Sequence, residues 1–184
     1  MNVHDAIASR RTVHRYVPTP VDDAVVERAL EAATYAPNHK LTWPWRFVLP
    51  GPDARARLAE LNVRLKSARR PLTEEMMQGI RDKMLHPARL IVVTQVLSGD
   101  AFREQEDYAT ISCAIQNMSL SLHADGVASK WSTGGVTTHP EAYALLGVDP
   151  AQERVVGFVW AGYPELVPAP ANRPSWRDVT RSLP

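Results

Sequence analysis

Two short clusters hold the residues of this chain best suited to chemistry: Arg10-Arg11-Thr12 near the start, and Ala36-Pro37-Asn38-His39-Lys40 running on to Trp43-Pro44-Trp45. The first offers guanidinium forks and a hydroxyl, the donors that hold a phosphate dianion by bidentate, charge-assisted hydrogen bonds. The second is a polar loop pinned by proline, in which a His39 ring nitrogen and the Lys40 ammonium can donate to a carbonyl or an anion. Each has a plainer reading as well. Neighbours on a helix point about 100° apart, so Arg10 and Arg11 aim at different targets, and a basic last turn also answers the helix dipole. A single loop histidine commonly does no more than stabilise a turn.

A third candidate is Trp131-Ser132-Thr133, at the end of a predicted strand and just before Gly134-Gly135. Glycines there let backbone amides and hydroxyls approach a planar ligand closely, although an aromatic at a strand end is more often core. Nothing in the chain has the form of a nucleophile elbow or a metalloprotease motif. The six histidines lack the spacing of a zinc site, so no metal is expected. Cys113, the only cysteine, excludes an internal disulfide, and its apolar helical surroundings place it in the core.

These residues need elements to position them. Asn2 or Asp5 opens a short helix carrying Val3, Ala6 and Ile7 and ending near Arg10 and Arg11. Asp22 and Asp23 start a second helix with Val25, Val26, Ala29, Leu30 and Ala33 inward, which Pro37 stops. Arg46 to Leu49 reads as a strand, Leu58, Leu61 and Leu65 recur at helical spacing, and Thr73-Glu74-Glu75 begins another short helix. Leu90 to Val93 is a continuous apolar run suited to a central strand. Phe102 to Asp125, free of proline and glycine, carries apolar residues most of the way round a helix, which predicts central burial. A strand over Val127 to Trp131, a helix opened by a Thr138-x-x-Glu141 capping box, and a strand over Val155 to Gly162 complete the pattern.

Helices and strands interleave without the βαβ regularity or glycine fingerprint of a dinucleotide fold. The reading is α+β: a three-layer α-β-α sandwich around a mixed, mainly antiparallel sheet. Residues 1–184 form one domain, and the proline-rich tail 164–184 has too little apolar content to fold on itself. Twenty-one basic against twenty acidic residues give a net charge of +1, so no global field points to nucleic acid or an anionic membrane. Neither a signal peptide nor a membrane-spanning apolar window is evident, which predicts a cytoplasmic protein.

The order and spacing of the two clusters resemble the nitroreductase family of FMN enzymes, in which a helix ending in Arg-Arg-Ser is followed, one helix later, by a Pro-rich loop leading into a Trp and a strand. The likeness runs from Arg10 to about Gly162 and is nearest to the small, minimal branch, whose loop reads Ala-Pro-Asp-His-Lys. Thr12 stands here for the usual Ser, and Asn38 for the Asp. Larger members have Pro-Ser-Ser-x-Asn-x-Gln-Pro-Trp, so the polar partners of the flavin ring must differ. Their late basic pair has no clear equivalent, and sequence alone does not assign Arg173 or Arg177 to it.

The resemblance implies a homodimer with FMN at the subunit interface. Arg10, Arg11 and Thr12 of one subunit would take the phosphate and part of the ribityl or ring edge, joined by Trp131, Ser132 and Thr133. Tyr35 and His39 would come from the other subunit. The tail, by its composition rather than by the resemblance, is expected to pack on a neighbour. The implied activity is that of an NAD(P)H-dependent oxidoreductase, with NADH or NADPH as donor and a nitroaromatic, quinone or similar acceptor, working by alternate half-reactions. Flavin N5 carries the chemistry, so no catalytic side chain is required. Two other classes stay open at this point: another flavin enzyme of the superfamily, such as a dehalogenase or enone reductase, and a flavin-binding protein without enzymatic activity.

Overall fold

The computed structural model describes residues 1–183; Pro184, the last residue of the predicted tail, lies outside them. Four strands, β1 (Trp45–Val48), β2 (Arg89–Val96), β3 (Ala128–Ser132) and β4 (Glu153–Gly162), form one sheet in the order β1-β2-β4-β3, and all three pairings are antiparallel. A parallel contribution comes from the N-terminal segment, where Thr12 bridges Ser129 along the free side of β3. The four-stranded sheet is therefore antiparallel, in keeping with the mainly antiparallel sheet expected, and the parallel contact is confined to this isolated bridge.

Six helices cover both faces: α1 (Val3–Ser9), α2 (Asp23–Thr34), α3 (Pro52–Ser67), α4 (Glu74–Leu85), α5 (Ala101–Ala124) and α6 (Pro140–Leu146). Strand periodicity divides the core into two layers. Ile91 and Val93 point to one face and pack with Val25, Val26 and Ala29 of α2 and Ile111, Ile115 and Met118 of α5. Leu90 and Val92 point to the other and pack with Leu58 and Leu61 of α3, Met84 of α4 and Leu146 of α6. In β4, Val155 and Phe158 share a face although they lie three positions apart. A register shift opposite Val93 and Thr94 supplies the extra residue that this requires.

Helix starts follow the predicted caps. The side chains of Asn2, Asp22 and Thr73 accept backbone N–H groups of Asp5, Ala24 and Met76. The start of α6 differs from its expected form: His139, not Thr138, is the cap, and its Nδ1 accepts from Glu141 N–H at 3.2 Å. Pro140 at the first helical position favours this arrangement, because its missing N–H needs no partner there.

The prediction for α5 needs correcting. Its inner face is buried at Ile111, Ala114, Ile115, Met118 and Leu122, but Phe102, Tyr108 and Cys113 are exposed. Cys113 is thus a surface residue rather than a core one. The apolar residues of α5 spread round the helix because two faces are apolar, and only one of them meets the sheet. Among the described residues, no helix is long and apolar enough to cross a membrane.

The segment after β4 runs back along the chain's beginning. Val17 N–H donates to Tyr163 O at 3.0 Å and Glu165 N–H to Arg15 O at 3.1 Å. Beyond this the tail is exposed, with one turn of 3-10 helix at Trp176–Val179 that the sequence reading did not anticipate.

Candidate functional site

The Arg10-Arg11 pair divides in two directions. Arg11 folds back on its own helix: its Nη1 donates to the carbonyls of Ala8 at 2.6 Å and Arg10 at 3.0 Å, answering the end of α1. Arg10 points elsewhere. Its Nε is buried without a hydrogen-bond partner, and burial, followed by the charges of Arg173 and Arg11, holds its pKa below the ordinary value. His123, near the end of α5, feels the same field. Burial, then Arg10 and Arg11, lower its pKa, while its Nε2 meets Ser9 Oγ at 2.8 Å.

Arg10 thus carries a buried, unpartnered N–H and feels the positive charges of Arg173 and Arg11; an anion would satisfy the donor and offset the repulsion. A phosphate group is the chemical fit for this cluster. Arg173 is the member that sequence reasoning had not assigned. It lies in the tail, and only the return of the chain after β4 brings it to Arg10.

The strand end lies along the same edge of the sheet. Thr12 bridges Ser129, and Val13 N–H donates to Ser129 O at 3.3 Å, so β3 carries Trp131, Ser132 and Thr133 away from the arginine cluster along one surface. Trp131 is 36% exposed. Its indole lies across Gly157 of β4, where a Cβ would stand 2.8 Å from the ring Cδ1. Ser132 turns inward: Trp160 Nε1–H donates to its Oγ at 2.8 Å. Thr133 is exposed. A flat, partly exposed indole beside free backbone is a surface on which a planar ring can rest.

Tyr35 and His39 stand in a different place. Tyr35 ends α2 and is 76% exposed. His39 is exposed on the following loop, with Nδ1 2.9 Å from Glu106 Oε1. That loop takes an unusual path, with positive φ at Lys40, Leu41 and Trp43. Its fixing residue is Asn38, whose Nδ2 donates to Thr42 Oγ1 at 2.9 Å while its Oδ1 accepts Trp43 N–H at 2.8 Å. Thr42 in turn donates to the buried carboxylate of Asp107 at 2.5 Å, and Thr110 Oγ1 donates to Pro37 O at 3.1 Å. Side chains from α5 thus hold the loop in a conformation that non-glycine residues adopt at a cost. Asp107 and Thr110 escaped sequence reading because nothing near them in the chain marks the loop as their partner.

The loop attaches to α5 at Glu106 to Thr110, and the arginine cluster meets α5 at His123. At a rise of about 1.5 Å per residue these points are roughly 25 Å apart along the helix. Arg10 to Thr12 and the start of β3 thus lie together, and Tyr35 and His39 lie remote from them in the same chain.

An α+β sandwich with an antiparallel sheet and an arginine cluster beside one edge belongs to a fold class distinct from the βαβ dinucleotide type. Sequence comparison places it within that class: the model of the nitroreductase family matches residues 7–163, and the chain belongs to that family. A Bacillus subtilis (strain 168) protein named "Putative NAD(P)H nitroreductase YfhC" is 31% identical over 179 residues, covering 96% of this chain and 91% of its own. A nitroreductase-like family protein from Bacillus cereus superposes with a TM-score of 0.86 at 25% identity, covering 100% of this chain and 96% of its own. A Desulfovibrio desulfuricans protein crystallised in complex with FMN has the same fold, with a TM-score of 0.79 at 24% identity and coverage of 100% and 99%.

Proposed function

We propose that the chain works in the cytoplasm as a homodimeric, NAD(P)H-dependent FMN oxidoreductase that passes two electrons to nitroaromatic, quinone or similar acceptors. The observation that carries this reading is the buried, unpartnered Nε of Arg10 among the charges of Arg11 and Arg173. Family membership and the name of the Bacillus subtilis relative support the donor; the FMN complex of the Desulfovibrio protein supports the cofactor.

FMN, when bound, supplies hydride acceptance at N5 and the onward delivery of two electrons. The protein's share is position and charge. Arg10 and Arg173 hold the phosphate, with Arg11 adding to the field and Thr12 reaching the ribityl chain or ring edge. Trp131 and Thr133 carry the ring on the same subunit, with Ser132 locked beneath by Trp160. Tyr35 and His39 of the partner subunit would complete the far side, where the His39 ring would supply a hydrogen-bond donor to the flavin. No side chain acts as nucleophile, and water supplies the protons.

Dimerisation rests on geometry. Two half-sites at opposite ends of α5 cannot serve one flavin within a chain, whereas a second copy set antiparallel brings the far half-site of each to the near half-site of the other. The unburied face of α5, with Phe102, Ala109 and Cys113, offers apolar surface for that contact. Residues 1–184 act as one FMN-binding domain in this arrangement, and the exposed tail from Pro164, bearing Leu166, Val167 and Trp176, packs on the partner.

An absorption spectrum of the purified protein, followed by anaerobic NADH and then NADPH, tests the assignment. Flavin bands near ~450 nm that bleach are expected from the cofactor's own chemistry. A colourless protein that neither binds added FMN nor transfers electrons to it overturns the reading.

A further inference from the structure

A second concentration of positive charge lies beyond the arginine cluster. Lys66 and Arg69 near the end of α3, Lys83 of α4 and Lys130 of β3 line a cavity of about 270 Å³, backed by Phe158 and Trp160 and rimmed by residues 132–137. A second hollow of about 520 Å³ shares Lys66, Arg69 and Lys83, adds Arg70, and has apolar walls from Leu72, Met76 and Ile80. No carboxylate lines either space. Among the described residues, none of these five cations takes part in an ion pair, while arginines elsewhere on the surface do. In a chain of net charge +1, such a basin is an arrangement rather than a by-product of composition.

Repulsion within the basin bears on its ammonium groups. Burial, then Lys83 and Arg70, lower the pKa of Lys66; burial, then Lys83 and Lys66, lower that of Lys130. Arg69 lies over the turn after β3, where its Nη2 would be 3.4 Å from a Cβ on Gly135. The inner end of the basin is therefore Ser132 and Thr133, the strand end assigned above to the flavin ring.

We propose that this basin binds the phosphorylated adenosine end of the electron donor, with Arg69, Arg70, Lys66 and Lys83 gripping the 2′-phosphate of NADPH. The inference rests on the flavin reading of the site and deepens it. Its chemistry is that of the outer hollow: apolar walls suit an adenine face, and flexible ammonium groups with guanidinium forks suit a phosphate monoester dianion. NADH, lacking that phosphate, leaves the cations unrelieved, so NADPH is the preferred donor. The inner cavity, with Lys130, runs from there to Ser132 and Thr133 at the strand end.

Calorimetric titration of the FMN-loaded protein with 2′,5′-ADP, 5′-AMP and inorganic phosphate tests the proposal apart from turnover. The expected result is 2′,5′-ADP binding at least about tenfold tighter than either fragment, weakening steeply with salt. In Lys83→Met and Arg70→Met, both surface substitutions, the preference over 5′-AMP should fall about tenfold while the flavin absorbance per subunit stays constant. Equal binding of 2′,5′-ADP and 5′-AMP overturns the proposal, as does inorganic phosphate binding as tightly as 2′,5′-ADP. Release of FMN by 2′,5′-ADP also overturns it, by assigning the basin to the flavin. Absence of FMN from the protein is a separate outcome, read from the spectrum, and sinks the flavin reading itself.

Discussion

The indole of Trp131 occupies space above the backbone of Gly157 that any side chain would fill: a Cβ there would lie 2.8 Å from the ring Cδ1 and 2.9 Å from Ser132 O. Gly157 sits at the register shift of β4, where the strand bends and its faces change over. One glycine thus sets the position of an aromatic on the neighbouring strand. Gly157→Ala is expected to push the indole off the sheet, cost about 1–3 kcal/mol as overpacking does, and weaken FMN binding. Denaturant titration and flavin fluorescence read the two effects; unchanged FMN affinity with displaced tryptophan emission would remove Trp131 from the site.

The two adjacent arginines should behave unequally. Arg10→Ala is expected to weaken FMN binding by ~1.5–3 kcal/mol, the range for hydrogen bonds to a charged group, and Arg173→Ala by a similar amount. Arg11→Ala should act more on α1, because its guanidinium caps Ala8 and Arg10 carbonyls. Equilibrium flavin titration of the three variants decides the order; equal losses would put both forks on the phosphate.

Asp107 is buried, and Thr42 Oγ1 is its hydrogen-bond donor among the described residues. Thr42→Val keeps the shape of the side chain but strands the carboxylate, at an expected cost of about 1–3 kcal/mol. Asn38→Asp removes the Nδ2 donor to Thr42 and sets a second carboxylate close to the first, so it should loosen the loop that carries His39. Thermal melts and proteolysis of residues 37–44 measure both. Wild-type protection in both variants would show that the loop holds its path without α5.

Acid should weaken the folded state through two histidines. Burial, with Arg10 and Arg11, lowers the pKa of His123, and burial, with Lys130 and Lys83, lowers that of His14, from an ordinary value of 6.5. Each binds a proton less readily folded than unfolded, so its stabilising contribution is full above pH 6.5 and is lost as pH falls through the lower folded values. Chemical denaturation of the FMN-free protein should show stability declining below this point. The decline should be shallower with FMN bound, because the phosphate offsets the field on His123. A His14→Gln, His123→Gln double variant with an undiminished slope would assign the acid sensitivity to other groups.

The outer face of α5 offers a direct test of assembly. Ala109→Arg places a charge on that face without touching the core, and should weaken the dimer about tenfold or more, by roughly the 1.4 kcal/mol that a tenfold change represents. Sedimentation reads the loss. Cys113, exposed in the single chain, should resist thiol reagents in the dimer and react in the variant. Equal reactivity in both would place the interface elsewhere.

Much of the architecture was readable from local chemistry. Alternation and caps are written in neighbouring residues, so the four strands, the apolar inner faces of α2 and α5, and the starts of α1, α2 and α4 follow from the chain directly. The Arg-Arg-Thr and Pro-Asn-His-Lys clusters were visible for the same reason, being contiguous and chemically unusual. What no local pattern carried was association between distant segments. Arg173 reaches Arg10 only because the tail pairs with residues 15–17 after β4. Asp107 grips Thr42 only because α5 packs under the loop. Cys113 faces outward because the sheet has room for just one of two apolar faces of α5. Local geometry depends on the few residues within one turn or one pleat, whereas these contacts depend on how whole elements pack, and packing is decided by burial summed over the entire fold.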